Sequence, residues 1–176
     1  MKLAREAFGD WKATGTAPPD LPAPPATMPA QRVLLERPGS VQSTLRLGRP
    51  GMAATGSEQM ALRLTSTILG TGFSSRVNLN LREDKGYTYG ARAGGQSSRV
   101  GGAITGGADV RNDVTAASMT EFIREYRRIG AEPVPEAEMA MSKRYMAGTY
   151  LVTTQLQAAV ARQPVSYTHL TLPTKA

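Results

Sequence analysis

The sequence predicts an α+β fold, an antiparallel or mixed sheet with helices packed on one face. Three observations lead there. Period-two and helical patterns come in pairs, in the order strand, strand, helix, helix, strand, strand, helix, helix. The 176 residues, 40% of them hydrophobic, can bury one ordinary core. No apolar run reaches the length of a membrane span, and no short-period repeat is visible.

Taken in order, Leu3 to Trp11 (LAREAFGDW) reads as the end of a helix with Leu3, Ala7 and Phe8 on one side. Residues 13–31 hold Pro18, Pro19, Pro22, Pro24, Pro25 and Pro29, a density that removes backbone donors and favours a semi-rigid extended linker. Arg32 to Glu36 (RVLLE) suits a strand, Pro38-Gly39 a turn, and Val41 to Leu47 a strand with one wet face. Thr55 and Glu58 stand at the spacing of a capping box. Behind them Met60, Ala61, Leu64 and Ile68 share a helix face that Gly70 closes. Ser74 to Glu83 forms a shorter helical stretch with Val77 and Leu81 on one side. Thr88 to Gln96 and Val100 to Ala108 make a hairpin through Ser97, Ser98 and Arg99. Asn112 is placed to cap a helix carrying Met119, Phe122, Ile123 and Tyr126, ended by Gly130. Pro135 opens a last helix, with Glu136 and Glu138 near its positive end and Met139, Met146 and Tyr150 on its buried side.

From Pro164 the character changes. The helical pattern is expected to stop there, and VSYTHLTLPTKA resembles a translated sequencing-adapter segment, so 164–176 reads as a non-native tail. The natural sequence is then expected to be cut near Gln163, and the only histidine, His169, falls inside the tail.

With no cysteine, disulfides and thiolate metal sites are excluded, while the compartment stays open. MKLAREAFGDWK contains no apolar core of a signal peptide. The net charge of +7 is carried mostly by scattered arginines. Arg124, Arg127 and Arg128 lie near one helix face, which a solvated surface explains more cheaply than a phosphate stripe. A basic nucleic-acid-binding module is a remote alternative. It requires binding that weakens steeply with salt and lacks an aromatic–basic surface pattern here.

Gly70-Thr-Gly72-Phe-Ser-Ser75 begins like a dinucleotide loop, but it follows a helix and has Ser75 where the third glycine belongs. No glycine loop is followed by Lys-Ser/Thr, so a phosphate-binding loop is absent too. Gly94, Gly95, Gly101, Gly102, Gly106 and Gly107 concentrate in the hairpin. Close approach by another backbone and simple loop flexibility both account for that. In Leu69 to Ala91, LGTGFSSRVNLNLREDKGYTYGA, a short helix delivers Arg82, Gly86 turns the chain, and a strand carries Tyr87 and Tyr89 toward one face. A guanidinium and a phenol are both donors suited to a carbonyl becoming an oxyanion. A buried structural Arg–Tyr contact is the competing reading.

The segment resembles the signature of the non-zinc C-terminal domains of the pitrilysin/insulinase-type (inverzincin) zinc metallopeptidases: ILG, then SSR, then LREDKGYTYGA. AFGDW, a proline-rich linker and PGSVQS resemble the family's junction between consecutive homologous domains. That resemblance, covering Ala4 to Arg162, implies a processing-peptidase-like metallohydrolase domain. Residues 1–12 would end a preceding homologous domain, 13–31 would be the linker, and 32–163 a truncated inactive-half domain. It implies that Arg82 and Tyr89 reach across a clamshell to bind the scissile carbonyl. Gly86, Gly94 and Gly95 would then lie in the substrate cavity, and Tyr87 would serve packing. The family's His-x-x-Glu-His is missing. Zinc and its ligands are therefore expected on an N-terminal zinc-binding domain or a partner subunit, with a peptide as substrate and no nucleic acid or membrane partner. This piece alone would be inactive. Exported bacterial relatives imply a periplasmic or secreted setting. A non-catalytic structural subunit of the same family is the alternative, because one fold serves both.

Overall fold

A computed structural model describes residues 2–12, 22, 29–54, 58–98 and 100–170, with side chains as far as Gln163. Helix α1 (Lys2–Phe8) precedes strand β1 (Gln42–Gly51) and helix α2 (Gln59–Gly70). A short helix α3 (Arg76–Asn78) runs directly into a π-helical turn (Leu79–Asp84) and then strand β2 (Thr88–Ser97). Strand β3 (Gly102–Arg111) and a 3₁₀ turn (Asn112–Val114) lead to α4 (Thr115–Ala131), α5 (Glu136–Thr153) and α6 (Gln157–Leu170). The sheet is antiparallel throughout, in the order β1-β3-β2. The fold is α+β.

Register follows from one apolar stripe per strand. Leu45 and Ala91 both lie opposite Ala108, and Ala93 lies opposite Gly106. Together with Val110 they form the inner face, and Leu69, Val77, Leu81 and Phe122 pack on it from the helices. Phe122, Leu81 and Val77 are fully buried. Each such side chain contributes roughly 1.5–3 kcal/mol of transfer free energy.

Several expectations change. Arg32 to Glu36 forms no strand; it pairs with no strand among the described residues, and Leu34 is 91% exposed. Apolar composition favours a strand only where a neighbouring strand can take its N–H and C=O groups. Helix α2 keeps part of its expected face, with Ile68 buried and Leu64 half-buried, but Met60 and Ala61 are exposed, and Leu62, Ser66 and Gly70 meet β2. Small residues decide that contact, and hydrophobicity does not reveal them. Asn112 does not cap α4; its side chain accepts from Ser43 (2.9 Å) and donates to the Ser40 carbonyl (2.6 Å), pinning the start of β1. Glu58 precedes α2 without a side-chain capping bond, and Thr55 lies outside the described residues, as do Arg99 and most of the proline-rich segment. Tyr150 is exposed, since only Ser142 of α5 is buried. Leu3 and Phe8 of α1 are exposed, with Phe8 against Trp11 at 5.8 Å between ring centroids. Helix α6 continues to Leu170, past the expected stop at Pro164. Helical bonds are local, and a proline removes one of them without obliging the chain to end its helix. Among the described residues no helix is long and apolar enough to cross a membrane.

Candidate functional site

The site is built on the chain between α2 and β2. After α2 the loop is tied to one carbonyl. The Ser75 hydroxyl (2.7 Å), the Ser75 amide (3.3 Å) and the Asn78 amide nitrogen (2.9 Å) all donate to the Gly72 oxygen. Gly72 itself sits at φ 111°, where a side chain is strained. That knot holds Phe73 on the outside, 72% exposed.

Asn78 also reaches the sheet. Its Oδ1 accepts from the Ala91 amide (2.9 Å) and its Nδ2 donates to the Ala91 carbonyl (2.7 Å). Both outward backbone groups of an edge-strand residue are thereby satisfied by one side chain. Farther along the same edge, Ser66 Oγ accepts from the Gly95 amide (2.8 Å).

The π-helical turn ends in nested bonds, Tyr87 N–H to Leu81 O (2.8 Å) outside and Gly86 N–H to Arg82 O (3.2 Å) inside. This is the Schellman pattern widened by one residue at each bond. It needs left-handed backbone at Gly86, which has φ 62°. Single π turns inside helices occur often at functional sites. Here the turn carries Arg82, whose guanidinium lies 4.6 Å from the Phe73 ring centroid and 3.5 Å from the Glu83 carboxylate. The Arg82 side chain is about one third exposed.

Tyr89 is 95% exposed. The register of β2 against β3 shifts between Thr88 and Ala91. The Thr88 hydroxyl fixes this bulge by donating to Asp109 O (2.8 Å) and accepting from the Gly90 amide (3.2 Å). Strict alternation applies only within a regular strand: Tyr87 precedes β2 and is half-buried, while Tyr89 lies in the bulge and stands in solvent. Arg82 and Tyr89 are displayed on the two sides of the Gly86 turn; among the described residues no hydrogen bond joins them, and neither is sealed in the core.

Gly94 and Gly95, expected in a substrate cavity, are covered by α2. A Cβ on Gly95 would meet Leu62 at 2.4 Å, and one on Gly94 would meet Ser66 at 2.9 Å. Of the two accounts of the hairpin glycines, close approach is what the packing shows at these positions, and the approaching element is a helix. Gly86 acts through its backbone, its carbonyl accepting from Arg111 (3.2 Å).

Sequence reading missed the polar network behind the π turn. Asn80 Nδ2 donates to both Glu121 and Glu125 at 2.8 Å. Glu125 is only 2% exposed and also pairs with Arg128 at 3.2 Å. Burial raises the Glu121 pKa, but the Asn80 hydrogen bond and the charges of Lys85 and Arg124 together bring it below the ordinary value. Asn78 and Asn80 flank Leu79 next to the buried Val77 and Leu81; polar residues at the edge of an apolar helix stripe were the available signal. Arg124 and Arg128, read as a solvated face, are engaged with Glu121, Glu125 and Glu132. Among the described residues, no group of three or more His, Cys, Asp or Glu could hold a metal ion.

A family model described as the peptidase M16 inactive domain matches residues 1–146. Among solved structures, a peptidase M16 inactive domain from Pseudomonas fluorescens is 24% identical with a TM-score of 0.62, over 73% of this chain and 33% of that one. A protease from Helicobacter pylori is 18% identical with a TM-score of 0.82, over 95% of this chain and 41% of that one. An inactive peptidase domain from Bordetella parapertussis is 17% identical with a TM-score of 0.62, over 77% and 74% of the two chains. At these identities the likeness concerns the fold, and this chain spans less than half of the first two. Among curated proteins nothing matches.

Proposed function

The chain belongs to the peptidase M16 inactive-domain family, and from that premise we propose that it forms the zinc-free half of a zinc-dependent endopeptidase, offering Arg82 and Tyr89 to the scissile carbonyl of a peptide. The observation that carries this reading is the exposure of Tyr89 on a bulge pinned by Thr88, one turn of chain from Arg82. A large aromatic held 95% in solvent, without a hydrogen-bond partner among the described residues, adds nothing to the core. Its hydroxyl is free to donate. The Arg82 guanidinium provides several N–H donors from one plane.

On this reading both groups would bind the carbonyl oxygen and strengthen their hold as negative charge develops on it. Gly86 would set their separation, while Gly94 and Gly95 would let α2 close on β2. The sequence lacks the His-x-x-Glu-His motif, and in this proposal the metal and its ligands belong to another domain or a partner subunit. No step taken by this chain passes through it.

In the complete enzyme, Arg82→Ala or Tyr89→Phe is expected to lower turnover by roughly 10² to 10³, the usual cost of one oxyanion donor. Zinc content, read by atomic absorption, should stay constant. Unchanged turnover in both variants would overturn the carbonyl-binding role of this pair and leave the fold standing.

A further inference from the structure

We propose that Phe73 is a positioning residue for Arg82, holding the guanidinium flat so that its edge stays directed outward. The inference rests on the carbonyl-binding reading above. Phe73 is 72% exposed and belongs to no hydrophobic cluster, so packing does not explain it. Its ring lies under the Arg82 guanidinium at 4.6 Å. An arginine stacked by its face on an aromatic ring keeps its in-plane N–H donors for another partner. Among the described residues its one acidic contact, Glu83 at 3.5 Å, is single and solvent-exposed. It cannot fix a long side chain against its rotamer entropy.

The loop under the ring is fixed as well. Three donors converge on Gly72 O, one residue before Phe73, and one of them is Asn78, which is itself bonded to β2. The aromatic platform and the edge strand bearing Tyr89 are thus referenced to the same side chain. A π turn that places Arg82 and a knotted loop that places Phe73 bring face and cation together from either side of α3.

The test uses Phe73→Leu, Phe73→Tyr, Arg82→Ala and the double variant Phe73→Leu/Arg82→Ala in the complete enzyme. Loss of an exposed cation–π contact corresponds to about a 2- to 5-fold fall in kcat, with KM little changed. Phe73→Tyr, which keeps the ring, should stay within about twofold of the parent. In the Arg82→Ala background, Phe73→Leu should cost nothing further. An undiminished kcat in Phe73→Leu, or the same loss in both backgrounds, would overturn the proposal. Independently of activity, the Arg82 side-chain proton resonances of this chain should carry a ring-current shift that Phe73→Leu abolishes and Phe73→Tyr keeps; no such shift also overturns it. Should Arg82→Ala leave turnover intact while the ring-current shift is present, the carbonyl-binding role fails and Phe73 holds an arginine without catalytic work.

Discussion

Gly70 is the last residue of α2 and also the point where that helix touches β2. A Cβ built there would lie 2.1 Å from the Ala93 nitrogen and 2.3 Å from its oxygen. Both obstacles are backbone, so no rotamer change relieves them, and the helix must lift off the strand. Gly70→Ala is expected to destabilise the chain by about 2–3 kcal/mol, the upper part of the range for overpacking. Gly130, near the end of α4, faces open space. There Gly→Ala should stabilise by about 0.5–1 kcal/mol, because it restricts the unfolded chain without a clash. Urea unfolding of the two variants checks both signs; equal effects would show that the α2–β2 contact is looser than described.

Between elements, the weak point of a three-stranded sheet is its edge, and β2 is protected by side chains in place of a fourth strand. Asn78 supplies to Ala91 the donor and acceptor that a neighbouring backbone would have supplied. Ser66 does half as much for Gly95. Replacing Asn78 by Ala strands a buried N–H and a buried C=O at once. At about 1–3 kcal/mol for each unsatisfied group, a loss near 3 kcal/mol is expected. The Ala91 amide should also exchange its hydrogen much faster. A variant that keeps both its stability and its Ala91 protection would contradict the edge role. The same change should disturb Phe73, because Asn78 also holds the Gly72 carbonyl.

Across the whole molecule, ion pairs tie the helical layer together. Arg76 on α3 makes two hydrogen bonds to Glu138 on α5, at 2.9 and 2.7 Å, with its side chain only 6% exposed. The hydrogen bond from Arg76 holds the Glu138 carboxyl below its ordinary value of 4.5, against the opposing effect of burial. A depressed carboxylate pKa means stability that is fully present above the unfolded value and lost as pH falls through the folded one. Acid should therefore begin to loosen α5 from α3 below about pH 4.5. Glu138→Gln removes that pH dependence and leaves Arg76 buried without its charge partner, at a cost of about 3 kcal/mol near neutrality. Thermal midpoints at pH 7 and pH 4 compare the two proteins; a pH slope identical in both would exclude Glu138 as the group responsible.

Much was legible before any coordinates. The apolar periodicity of Val77 and Leu81, of Phe122, and of Leu45 with Leu47 marked the inner faces of four elements, because burial is repeated at the period of the backbone itself. The LREDKGYTYGA signature located Arg82, Gly86 and Tyr89 on a turn entering a strand, since a left-handed glycine leaves a trace in sequence. What periodicity could not carry was any contact made by a residue for its lack of size or for its polarity. The seating of α2 on Gly94 and Gly95, the bulge that carries Tyr89, and the Asn78 edge bonds all depend on which backbone lies opposite. So does the fate of Arg32 to Glu36, apolar yet unpaired. The sequence by itself determined the family and the fold class. Only the tertiary structure decided how Arg82 and Tyr89 are held, because hydrogen-bond partners and close approaches are set by neighbours distant along the chain.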